Sequence, residues 1–91
     1  MSDVESKLEK YLEDTGKVLE ELSVCGALAA GRGEISDVLR LARSYFQDAQ
    51  HFQRSGEHLV GLVAVVYCSG LLDALRTLGL VSYRWRGEVE G

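Results

Sequence analysis

Leu59-Val60-Gly61-Leu62-Val63-Ala64-Val65-Val66-Tyr67-Cys68-Ser69-Gly70-Leu71-Leu72 is a run of fourteen residues without a charge. Its β-branched members would suit a strand, but its length and its continuation into Asp73-Ala74-Leu75-Arg76 favour a helix. The helix is predicted over residues 57–78. Its apolar side chains point in nearly every direction around the axis, so it must be buried on more than one side. The breaks in the run are Gly61, Ala64, Cys68, Ser69 and Gly70, all small. Gly79 followed by Leu80 suits a Schellman ending in which Leu80 packs back on Leu75.

Upstream, Gly56 ends a second segment in which Ile35, Val38, Ala42, Tyr45, Ala49 and Phe52 step by three and four, with Leu39 and Phe46 beside them. Glu34 and Asp37 fall in its first turn, where the helix dipole favours carboxylates, and Arg54 falls in its last. A helix is predicted over 34–55. The first segment repeats the spacing through Val4, Leu8, Tyr11, Thr15, Val18, Leu22, Cys25 and Ala29, widened by Leu12 and Leu19. Ser2 and Glu5 fit a capping box, and Gly31 fits a C-terminal cap. Its predicted range is 3–30, despite Gly16, which costs up to about 1 kcal/mol relative to Ala.

Short connections between three helices predict an all-α fold, an antiparallel up-down-up bundle with a central apolar third helix. Residues 1–81 form the single helical domain and 82–91 a C-terminal tail. In the tail, Val81-Ser82-Tyr83-Arg84-Trp85-Arg86 alternates apolar and polar. It reads either as an extended segment that lays Tyr83 and Trp85 on the bundle or as a frayed end.

The chain has 91 residues, of which 46% are hydrophobic and 26% charged, ordinary proportions for one globular domain and not for a disordered chain. Proline is absent, so nothing forbids long helices. Cys25 and Cys68 lie far apart among apolar neighbours and read as two buried thiols rather than a disulfide framework. No basic segment precedes an apolar one near the N-terminus, and the uncharged run is short of the roughly 20 residues that span a bilayer. The expected compartment is the cytoplasm, with no membrane partner.

Tyr45-Phe46-Gln47-Asp48-Ala49, Phe52, Gly56-Glu57, Leu71-Leu72-Asp73-Ala74 and Leu78-Gly79-Leu80 together resemble an archaeal family called domain of unknown function 357. The resemblance covers residues 35–81, with helix one matching only in type. It implies a small cytoplasmic helical bundle to which no activity has been assigned. The valine-rich third helix and the Tyr-Arg-Trp-Arg tail depart from the family's pattern. In outline the helix pair is also similar to tetratricopeptide hairpins, which need several repeats, and to HEPN-like nucleases. Arg54 and His58 do not match the spacing of the latter's Arg–His motif, and Ser55-Gly56 puts a turn between them.

No motif for catalysis, metal or nucleotide is present. Asp48, His51 and His58 are the nearest approach to a metal cluster and read as polar residues near a helix end. No catalytic residue, metal or cofactor is assigned. Asp73 reads as an acid at the edge of the core, paired with Arg76 or with another helix. A net charge of −4 is a poor footprint for a nucleic-acid binder. The excess acid lies on helix one, whereas Arg40, Arg43 and Arg54 stripe helix two and Arg84 and Arg86 follow in the tail. These five form a candidate anion or RNA face, against the alternative that they meet the acids of helix one. The primary expectation is a non-catalytic module that forms a homodimer and meets a protein partner not identified by the sequence. Its candidate interface is Leu59, Leu62, Val63, Val66, Tyr83 and Trp85.

Overall fold

The computed structural model of the protein describes residues 3–25 and 32–85. Helix α1 spans Asp3–Glu21, strand β1 Ser23–Val24, α2 Arg32–Arg54, α3 His58–Thr77 and strand β2 Val81–Ser82. The three helices pack up-down-up, and each of α1 and α2 meets α3 more extensively than it meets the other. That makes the apolar third helix the central one.

Why α3 can be central is visible in which of its residues turn inward. Gly61, Ala64, Val65, Cys68, Leu72 and Leu75 are buried, a row stepping by three and four. Three of the six are small, which lets the neighbouring helices come close. A Cβ on Gly61 would lie 2.9 Å from Leu8 Cδ2 and 3.3 Å from the Ala49 carbonyl oxygen. Around this row α1 contributes Leu8, Leu12, Val18 and Leu19, and α2 contributes Ile35, Ala42 and Ala49, all buried. Phe46 of α2 packs on both halves of the core and joins them. Fully burying each large aliphatic side chain is worth about 1.5–3 kcal/mol, so this core is the main source of stability.

Both helix ends flanking α3's connections close as the sequence predicts. Gly56 and Gly79 have φ of 79° and 75°, the left-handed conformation that glycine adopts without steric cost. After α2, the Gly56 N–H donates to the Gln53 oxygen at 3.2 Å and the Glu57 N–H to the Phe52 oxygen at 2.9 Å. After α3, the Gly79 N–H donates to the Arg76 oxygen and the Leu80 N–H to the Leu75 oxygen, both at 2.9 Å. These are paired Schellman bonds, and Leu80 shares a buried cluster with Leu75.

Helix one is shorter than its apolar spacing predicts. The Leu22 N–H still reaches the Val18 oxygen at 2.9 Å, but the helix ends at Glu21. Ser23 and Val24 then pair antiparallel with Ser82 and Val81, and the Cys25 N–H donates to the Leu80 oxygen at 2.8 Å. A ladder shared with the tail replaces the intrahelical ladder, and spacing alone does not distinguish the two. Cys25 is consequently exposed, not buried, with its Sγ 3.4 Å from the Gly79 oxygen, whereas Cys68 is wholly buried. The predicted cap at Ser2, the seam residue Ala29, the cap at Gly31 and Arg86 lie outside the described residues.

Candidate association face

With Gly61, Ala64 and Cys68 turned inward, α3 leaves several large side chains outward. Leu59 is 64% exposed, Val63 58% and Tyr67 60%, and Val60 and Val66 are also exposed. Leu62, Val63, Val66, Tyr67, Gly70 and Leu71 line a shallow groove of about 490 Å³ with no charged residue in its wall. Tyr45 of α2 supports one side of it, its ring 5.0 Å from that of Tyr67. At 20 residues, α3 is also long and apolar enough by composition to cross a membrane, although here it forms the centre of a bundle.

Of the residues assigned to the interface from sequence, the structure brings Leu62, Val63 and Val66 together in this groove and sets Leu59 on the same face one turn earlier. Tyr83 and Trp85 lie elsewhere. Strand β2 carries the chain back along α3, where the Tyr83 hydroxyl and the Trp85 Nε1–H both donate to Asp73 Oδ1 at 2.7 Å. Their rings meet edge to face at 5.2 Å, and the Arg76 guanidinium sits 4.9 Å above the Tyr83 ring. Arg76 Nη1 also donates to the Tyr83 carbonyl at 3.3 Å. Tyr83 is buried in the subunit's own core, so this residue closes the monomer. Asp73 thus anchors the tail, a role that neither its spacing to Arg76 nor its position after the apolar run reveals.

Two charge-assisted hydrogen bonds to one carboxylate oxygen, partly exposed, are worth about 1–3 kcal/mol in holding the tail. The single tryptophan reports on them. Trp85 emission in the folded protein is expected to be blue-shifted from that of free tryptophan. Asp73→Ala is expected to move it to the red without unfolding the helices. Emission at the water-exposed maximum in the wild-type chain would show the tail detached.

The arginine stripe is partly occupied inside the molecule. Arg40 pairs with Asp37 at 3.1 Å on the surface, a contact worth at most about 1 kcal/mol. Arg43 Nη2 donates to the Leu19 carbonyl at 3.3 Å, and Leu19 lies in the last turn of α1, where the helix dipole favours a cation. Arg54 and Arg84 are exposed, and Arg86 lies outside the described residues. The predicted meeting of arginines with helix one therefore exists for Arg43, through a backbone carbonyl rather than an acid. A second cleft, of about 560 Å³ between α1 and α3, combines Lys7, Lys10 and Asp14 with Ser69, Asp73 and Trp85. It mixes both charge signs, and its Asp73 is already engaged by the tail.

Among the described residues no three His, Cys, Asp or Glu side chains gather as metal ligands. His58 Nε2 lies 3.7 Å from Glu5 Oε2, and the His51 ring rests 5.7 Å from that of Phe52. Burial pushes the Cys68 thiol up to about 11, against a smaller opposing pull from Arg43. A thiol held protonated in this way is a core side chain rather than a nucleophile.

A family model described as "Protein of unknown function (DUF357)" matches residues 28–81, more than half of the chain. The match takes in α2, α3 and the first residue of β2, and it leaves α1 outside. No curated protein and no solved structure matches the chain.

Proposed function

The chain belongs to the DUF357 family of proteins of unknown function, and we propose that it acts as a non-catalytic association module that self-associates through the outer face of α3. The observation that carries this reading is the exposure of Leu59, Val63 and Tyr67, each more than half open to solvent on one uncharged face. Burying three such side chains on each copy contributes about 5–9 kcal/mol per copy. Association costs an estimated 4–15 kcal/mol or more in lost freedom, a cost of the same order as the gain from a pair of such faces. The module needs no metal or cofactor for this work, and its expected setting is the cytoplasm.

The second reading, an RNA or nucleotide contact through Arg40, Arg43, Arg54, Arg84 and Arg86 with stacking on the tail aromatics, has less support. Arg40 and Arg43 have partners within the chain, and the net charge is −4. Sedimentation under reducing conditions at micromolar concentration, in low and high salt, separates the two readings. The expected result is a particle heavier than 10.0 kDa whose association holds or tightens as salt rises. A monomer throughout overturns the proposal. RNA retention that collapses with salt favours the second reading.

A further inference from the structure

We propose that the α3 face is covered by a second copy docked antiparallel about a two-fold axis, with Leu59 of each copy seated on Gly70 of the other. This rests on the association reading above and adds a partner geometry to it.

Leu59, Val63, Val66 and Gly70 step by four, three and four, the spacing of a seam that meets a second helix. The seam is uneven. At one end Leu59 stands 64% exposed, a free knob. At the other, a Cβ on Gly70 would meet nothing within 4 Å, so the groove beside Val66, Tyr67 and Leu71 has an open seat there. Knob and seat are eleven residues apart, three turns of one helix and therefore on one face.

A single helix cannot bring its own knob to its own seat, but a copy reversed about an axis between Val63 and Val66 does so twice. In that arrangement Leu59 covers Gly70 and Val63 meets Val66. Parallel docking instead sets Leu59 against Leu59 and leaves both Gly70 seats empty.

The surface suits a weak, reversible dimer. Covered completely, Leu59, Val60, Val63, Val66 and Tyr67 at their observed exposures give about 1,000 Å² over two copies, the small end for a specific interface. No charge in the groove selects an acidic or basic partner. Two-fold closure is also the commonest way for a self-complementary patch to be satisfied.

Gly70→Leu tests the seat without threatening the fold. Its Cβ enters open space, and replacing a helical glycine raises helix propensity. The variant is expected to melt no lower than the wild type while its dimer dissociation constant rises at least tenfold. Exchanging knob and seat in Leu59→Ala/Gly70→Leu is expected to recover part of that loss.

Cross-linking tests the direction. In a Cys25→Ser/Cys68→Ala background, oxidising a mixture of Leu59→Cys and Gly70→Cys chains is expected to give the mixed disulfide. Leu59→Cys alone is expected to give none, because its two thiols lie about 16 Å apart along the axis. A disulfide needs α-carbons within about 7 Å. If that background does not fold, Gly70→Leu in the native chain decides. Leu59→Cys cross-linking to itself, or a Gly70→Leu dimer of unchanged affinity, overturns the antiparallel seat while leaving association intact. A wild-type monomer overturns both readings, as does a monomer that adheres through this face to phosphatidylcholine vesicles.

Discussion

Gly61→Glu is expected to leave the chain unfolded. Gly61 is buried where α3 crosses α1 and α2, and even a bare Cβ there comes within 3.3 Å of the Ala49 carbonyl oxygen and the Phe52 Cβ. The Leu8 methyl at 2.9 Å can swing aside, but the Ala49 backbone cannot move without shifting α2. Overpacking of this kind costs about 1–3 kcal/mol. A carboxylate stranded in the core without a partner adds about 3–5 kcal/mol. The total is comparable to the stability of a whole small domain, about 0.05–0.15 kcal/mol per residue. Circular dichroism and amide NMR dispersion read the result directly. A cooperative melt within a few degrees of the wild type would show that position 61 does not face inward.

The same substitution two residues later is expected to do the opposite. Val63 is 58% exposed on the outer face, so Val63→Glu places its charge in water and the monomer keeps its fold. In the associated state the carboxylate is desolvated, and a two-fold axis brings in two such charges while removing two buried valines. The lost burial alone amounts to about 3–6 kcal/mol over the pair, a weakening of a hundredfold or more in affinity. Sedimentation is expected to give a folded monomer at concentrations where the wild type is associated. Undiminished association of Val63→Glu would remove this face from the interface.

The contrast between positions 61 and 63 also shows where the sequence is legible. The spacing of three and four along Ile35 to Phe52 places α2 within two residues at each end, and Gly56 and Gly79 mark real helix stops because only a left-handed turn satisfies the carbonyls there. The apolar run of α3 reveals that one subunit does not cover it, but not which side stays open. That is decided by three small residues, Gly61, Ala64 and Cys68, falling on one row and admitting two neighbours. A strand of two residues has no period to read, so Ser23–Val24 looks like the continuation of a helical seam. Asp73 shows the same limit from the other side. Its partners come from a tail whose path depends on that strand. The arginine stripe is visible in the sequence, but Arg43's bond to the Leu19 carbonyl depends on where α1 stops.

The small ribbon has a thermodynamic consequence. Val24 and Val81, 57 positions apart, are neighbours in it, so the segment after α1 and the segment after α3 are ordered by the same bonds. Once α1 is docked, β1 presents its edge to the tail at a high effective concentration. Once Tyr83 and Trp85 are set on Asp73, β2 presents its edge to the end of α1 in the same way. Such coupling is reciprocal by necessity: whatever free energy α1 lends to the tail, the tail returns to α1.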